Sequence, residues 1–280
     1  MTYRLFAFTP ERSAPFLERL EWSTDIQTAR SGKEFRKRLR ALPRYRYEYS
    51  LDVHALSSNG HGRILDDLRA YAGTWLLPLW PHASDAPALP TRTLANDSRC
   101  LAFFRDGTAV EFTGPAPANA TAVTPAALGR LIEARRVQHT TSELANVKVG
   151  LALLNHAEVV APYTNIANGL AVFDFGTDWT DGSDETITPE ENVIDYGGIW
   201  DAEMRFLTRT VSLDVCLESD AAIATFRSFL FHVQGSLKSF IAHPAQDTAP
   251  GTWRLNSDAV EILYIQPGLA TARLTLKEVV

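Results

Sequence analysis

The chain has 280 residues, 45% hydrophobic and 21% charged, a balance that excludes a charge-rich disordered polymer and supplies enough apolar surface for a core. Its formal net charge of −6 excludes a whole-molecule field that would draw it to nucleic acid or to an anionic membrane. With 14 Phe, 8 Tyr and 6 Trp against 2 Met, the composition leans towards sheets, and the length points to more than one domain.

Residues 1–10 alternate apolar and polar types around Arg4, without the apolar block of a secretory signal, so the expected compartment is the cytoplasm. No apolar run has the length of a membrane span. In RYRYEYSLDVH, Tyr45, Tyr47, Tyr49, Leu51 and Val53 recur at every second position, which predicts a strand over residues 44–54. After the SSNGHG turn cluster, Ile64, Leu65, Leu68 and Tyr71 recur at helical spacing up to Gly73. The strand TWLLPLW follows, and Pro78 places it at a sheet edge or makes it leave the sheet there. Residues 82–94 read as a connector.

CLAFFR and TAVEFTG flank Asp106-Gly107, a hairpin signal. A helix is predicted over residues 125–136, with Thr124 as its cap and Pro125 in its first position. Further strands are expected at VKVGLALL, AEVVAPY, GLAVFDF, FLTRTVSLDVCL, AVEILYIQP and LATARLTLKEV. Residues 220–233 predict a third helix, capped by Asp220, with Ile223, Phe226, Leu230 and Phe231 on one side. The fold class expected is mainly β: two related β-sandwich or split-barrel units with short helices. The segments expected are 1–81, 82–145 as a hairpin connector, and 146–280.

Ser50-Leu51-Asp52-Val53 recurs as Ser212-Leu213-Asp214-Val215, and Leu68 with Leu230 and Gly73 with Gly235 fall at the same offset. Both stretches read strand, short helix, glycine, strand, which indicates an internal duplication. Such a chain offers two similar faces to its neighbours.

The familiar catalytic and phosphate-binding motifs do not occur, and the seven histidines show no ligand spacing, so neither an enzyme nor a metal or cofactor protein is expected. Asp178, Asp181, Asp184 and Glu185 miss the EF-hand pattern, and Glu190 with Glu191 gives no fixed separation for acid and base roles. Cys100 and Cys216 lie in apolar runs as small hydrophobes. Residues 30–46 form a basic arm: Arg30, Lys33, Arg36, Lys37, Arg38, Arg40, Arg44 and Arg46 against Glu34 alone. The arm suits docking onto an acidic neighbour, where Arg makes bidentate contacts. A solvated strand face and phosphate binding are the rival readings.

The stretch Leu20-Glu21-Trp22-Ser23-Thr24-Asp25-Ile26, then Ser31-Gly32-Lys33-Glu34-Phe35-Arg36, Pro43-Arg44, and the Gly73 to Trp80 segment closing on Pro-Leu-Trp resembles tail-tip proteins of long-tailed bacteriophages. The arrangement is similar to the tube-facing domain of distal tail proteins, and covers about the first third of the chain. The resemblance implies that residues 1–81 form a tail-tube-like β domain, in a hexameric ring between the tail tube protein and the baseplate hub proteins. It implies assembly in the bacterial cytoplasm and a place in the virion tail. Trp22, Thr24, Asp25, Gly32, Pro43, Gly73 and Trp80 carry the motif, and Arg30, Lys33, Glu34, Arg36, Arg38, Arg40, Arg44 and Arg46 are the expected interface. Two alternatives stand beside it: a trimeric hub component, and a carbohydrate- or receptor-binding module using Trp179 and Trp200.

Overall fold

A computed structural model describes residues 3–8, 15–29, 33–54, 71–85, 99–132, 136–139, 144–154, 158–178, 184–195, 200–243 and 250–279. The fold is mainly β. In chain order the strands are β1 (Arg4–Leu5), β2 (Phe16–Glu21), β3 (Thr24–Thr28), β4 (Glu34–Arg38), β5 (Arg44–His54), β6 (Trp75–Pro78), β7 (Ser84–Asp85), β8 (Cys100–Phe103), β9 (Ala109–Phe112), β10 (Ala122–Leu131), β11 (Arg136–His139) and β12 (Leu144–Leu153). They continue as β13 (Ile166–Ala167), β14 (Leu170–Val172), β15 (Thr177–Asp178), β16 (Asp184–Asp195), β17 (Trp200–Leu217), β18 (Phe240–Ala242), β19 (Gly251–Leu255), β20 (Ala259–Gln266) and β21 (Leu269–Glu278). Among the described residues the α-helix is Asp220–Val233.

The chain forms two compact units, each built from non-contiguous segments. The first comprises Met1–Arg19, Arg44–Val159 and Leu263–Pro267; the second comprises Leu20–Pro43, Val160–Ile262 and Gly268–Val280. Residues 82–145, expected as a connector, therefore lie within the first unit. The basic arm divides at Pro43.

In the first unit, the period-two row of β5 does what its spacing dictates: Tyr45, Tyr47, Tyr49 and Leu51 are buried. β5 pairs antiparallel with β12, β12 with β10, and β10 with β6, while β1 runs parallel to β6 on its other edge. β6 stops at Pro78, where the strand leaves the sheet. The Asp106-Gly107 turn joins β8 to β9 as an antiparallel hairpin, with Gly107 at φ 80°.

The helix expected over residues 125–136 is instead the strand β10 for most of its length. Ala122–Pro125 pairs with Cys100–Phe103, Ala126–Gly129 with Trp75–Pro78, and Gly129–Leu131 with Leu151–Leu153. Val123, Thr124, Ala126 and Ala127 are buried, so neighbours on both edges override the helical propensity of Ala and Leu. Gly129 has a packing reason: a Cβ there would stand 2.2 Å from Leu77 Cδ1 and 2.7 Å from the Ala152 carbonyl oxygen.

In the second unit, β17 pairs antiparallel with β21, β21 with β19, and β19 with β18, while β14 runs parallel to β18. The helix is capped by Ser219, whose side chain accepts from the Ala222 amide; Asp220, the expected cap, stands in the first turn. Ile223, Phe226, Phe229, Leu230 and Val233 are buried, whereas Phe231 is half-buried. Phe229 meets Phe173, Phe175 and Phe240 at ring centroid distances of 5.4, 5.6 and 5.1 Å. AEVVAPY, expected as a strand, is not one: residues 159–165 carry no ladder, Pro162 lacks a donor, and Val159 is exposed.

The two units share a strand order. Each has a short strand parallel to a strand that comes third in the chain, followed across the sheet by the fourth, the fifth and then the long second strand, all antiparallel. These are β1, β6, β10, β12, β5 in one and β14, β18, β19, β21, β17 in the other. The repeated Ser-Leu-Asp-Val lies on the corresponding strand of each, with Leu51 and Leu213 both buried. The paired glycines differ: Gly235 has φ 66°, and Gly73 is not left-handed. The first helix expected, near residues 64–71, lies almost wholly outside the described residues.

Candidate interaction surface: a basic hairpin and its anchor

Strands β3 and β4 form a separate two-stranded sheet of the second unit. Thr24 faces Arg38, Ile26 faces Arg36 and Thr28 faces Glu34, so these six side chains share one face; Asp25, Lys37, Gln27 and Phe35 share the other. The first face is anchored. Glu34 accepts from Arg36 at 2.6 and 3.0 Å, from Lys277 Nζ at 3.0 Å and from Arg254 at 3.3 Å. Arg36 also donates to the Ser236 carbonyl, and its side chain is 7% exposed. Burial raises the Glu34 carboxyl, but the hydrogen bonds and charges of Arg36 and Lys277 outweigh it and hold the pKa below the ordinary value.

The base of the hairpin is clamped by Asp258. Its carboxylate accepts from the Thr24 amide at 2.5 Å and the Thr24 hydroxyl at 3.0 Å, and from the Ser236 amide at 3.0 Å and hydroxyl at 2.6 Å. The Trp22 amide donates to the Asp258 carbonyl. Burial pushes the Asp258 carboxyl up, and the bonds from Ser236 and Thr24 pull it down further, leaving it below the usual range. Gly235 fits only as glycine: its φ is left-handed, and a Cβ would lie 2.9 Å from Asp258 Oδ1 and 3.1 Å from Trp22 Cβ.

The expected interface residues therefore separate into groups. Lys33 is exposed, with its Nζ 5.8 Å from the Phe35 ring centroid. Arg38 is exposed and donates to the Gln234 side chain at 3.2 Å. Arg36 and Glu34 are internal to the anchor. Arg40 is half-buried, and among the described residues its Nη1 has no hydrogen-bond partner. Arg44 and Arg46 begin β5 in the first unit. Arg30 and Gly32 lie outside the described residues.

The motif residues are structural in their placement. Trp22 is buried, edge-on to Phe231; Pro43 is buried; Trp80 packs on Phe103 with centroids 4.5 Å apart. Asp25 accepts from the Gln27 side chain at 3.4 Å. Asp258 and Ser236, which hold the hairpin, gave no sequence signal beyond an Asn-Ser-Asp turn. Glu18 was also not singled out: fully buried in the first unit, it accepts from the Tyr47 and Tyr264 hydroxyls at 2.7 and 2.8 Å.

What the hairpin shows to solvent is both apolar and basic. Phe35 is 60% exposed, Leu39 58% and Ile26 44%, beside exposed Lys33, Lys37 and Arg38. Both strands keep an unpaired edge among the described residues. Cys100 and Cys216 are half-buried. Among the described residues no group of three or more His, Cys, Asp and Glu could hold a metal ion. Trp179 and Asp181 lie outside the described residues, and the side chains of Asp178, Asp184, Glu185, Glu190, Glu191 and Trp200 are likewise undescribed. No protein-family model matches the chain, and comparison with the curated proteins finds no match.

Proposed function

We propose that the chain is a structural subunit of a bacteriophage tail tip, a ring or adaptor between tail tube and baseplate hub that carries no catalytic site. The observation that carries this reading is the hairpin: an anchored two-stranded arm exposing Phe35, Leu39 and Ile26 among lysines. A surface of that composition is characteristic of one to be covered by another protein. The Trp-Ser-Thr-Asp-Ile stretch, whose Thr24 and Trp22 fix the arm's base, is also the stretch that resembles tail-tip proteins. On this reading the molecule works through its homo-oligomer, with the tail tube protein and baseplate hub proteins as neighbours, in the virion.

A second reading, the trimeric hub component, is favoured by one specific observation: the two units repeat the same five-strand order. Three copies of such a chain present six similar units. The native mass of the assembled particle decides between six and three chain masses. Gold-labelled antibody against the chain, viewed on intact virions, should mark the tail end. Label elsewhere, or a monomer that binds a glycan array, would sink the scaffold reading.

A further inference from the structure

The two edges of the β3–β4 hairpin differ. The Ala29 amide donates to the Lys33 carbonyl and the Leu39 amide to the Ser23 carbonyl, so the odd-numbered residues of β3 bond to β4 and the even-numbered ones turn their amides and carbonyls outward. The outward Thr24 amide is taken by Asp258, whereas the backbone groups of Ile26 and Thr28 have no partner among the described residues. Ile26 and Arg36 are cross-strand neighbours on the anchored face, yet Ile26 is 44% exposed and the Arg36 side chain 7%. It follows that β4 lies against the rest of the unit and β3 overhangs it. β4 also carries the charges that discourage strand addition, Glu34, Arg36, Lys37 and Arg38, whereas Ile26-Gln27-Thr28-Ala29 is uncharged, free of proline and exposed throughout.

We infer that β3 is a strand-addition edge whose occupant is the β3 of a second copy, antiparallel about a two-fold axis at Gln27. The inference rests on the reading above of the hairpin as a covered surface, and names what covers it. With the axis there, Ile26 of each copy faces Thr28 of the other, and every outward amide and carbonyl of both residues finds a partner on the other chain. Thr24 stays with Asp258. An axis at Ile26 would instead set Thr28 against the Thr24 amide that Asp258 already holds. The side chains agree with the register at Gln27: β-branched Ile26 and Thr28 meet on one face, and on the other Asp25 falls opposite Ala29, so no like charges oppose each other. Rows across the joined sheet read Phe35, Gln27, Gln27, Phe35 at the axis and Lys37, Asp25, Ala29, Lys33 beside it. Lys37 and the second copy's Lys33 stand about 14 Å apart at the usual strand spacing, beyond the screening length of about 10 Å at 0.1 M salt, with Asp25 between them. The contact is isologous and closes at two copies. A pair of hairpin edges falls short of the roughly 1,200 Å² that a stable interface buries, so this is a weak contact, populated when copies are concentrated or held together by other contacts.

The test uses the full chain with single cysteines added on β3, oxidised beside the parent, whose Cys100 and Cys216 set the background. Opposed residues of a non-bonded antiparallel pair stand about 4.5 Å apart at Cα, within disulfide reach, so Q27C is expected to form a covalent dimer. The two copies of residue 25 stand about 14 Å apart in the same register, so D25C should cross-link at least about tenfold more slowly. T28P removes an amide that β4 does not use, and T28K sets a charge on the edge. Each should keep a urea midpoint near the parent's and weaken dimerisation about tenfold or more in sedimentation equilibrium. Q27C that cross-links no faster than D25C, T28K chains that dimerise like the parent, or a parent that stays monomeric at its highest soluble concentration each overturn the inference. The cover of the hairpin is then a different protein, and the labelled virions still decide the tail reading.

Discussion

Replacing Asp258 by alanine tests whether the hairpin is held as described. The carboxylate receives four hydrogen bonds from two segments distant in sequence, Thr24 and Ser236. Bonds to a charged acceptor contribute about 1.5–3 kcal/mol each when buried, but Asp258 is half-buried and the two hydroxyls can turn to water. The two amides cannot turn, so the expected loss is about 2 kcal/mol, and D258N should lose about half of that because its amide nitrogen cannot accept. Urea unfolding measures the total. Amide exchange at Thr24 and Ser236 measures the local part, where 2 kcal/mol corresponds to roughly thirtyfold faster exchange. The acid limb gives an independent check. Because the folded carboxyl sits below its ordinary value of 3.8, its contribution is fully present above that value and is lost as pH falls through the folded pKa. D258N should therefore lose stability less steeply below about pH 4 than the parent. A D258A chain with an unchanged urea midpoint and unchanged exchange at both amides would refute the clamp.

Three further outcomes follow from the packing. E34Q should loosen the hairpin by about 1–2 kcal/mol, since Arg36, Arg254 and Lys277 would face one another without a counter-charge; amide exchange along Glu34–Arg38 reads it. The Glu34 contribution has the same sign in pH as that of Asp258, present above the ordinary carboxylate range and lost as the lowered pKa is crossed from above. F229A, in a fully buried position ringed by Phe173, Phe175 and Phe240, should destabilise the second unit by about 3–5 kcal/mol, seen as a lower urea midpoint. G129A should lose about 1–3 kcal/mol, because its Cβ would meet the Ala152 backbone carbonyl, which the ladder with β12 holds in place.

Where local rules and tertiary demands agree, this sequence is legible. The tyrosine row of β5 has the period of a half-buried strand, Asp106-Gly107 has the conformational freedom its turn needs, and residues 220–233 carry an apolar stripe at helical spacing. The repeated Ser-Leu-Asp-Val also lies on corresponding strands, β5 and β17, of two units with one strand order. Where they disagree, only the assembled molecule decides. Thr-Pro-Ala-Ala-Leu-Gly-Arg-Leu favours a helix by propensity, yet becomes a strand because β6, β8 and β12 take up its edges. The basic arm reads as one charged stretch, but the two-residue alternation of β4 sends Arg36 into the anchor and Lys37 to solvent. Asp258 stands 234 residues from the threonine it holds, and no local pattern encodes a bond across that distance. Periodicity and turn chemistry mark elements such as β5, the Asp106-Gly107 turn and the helix at 220–233, because those act between neighbours in sequence. Which charges are spent inside and which are offered outward depends on the partners that folding brings together.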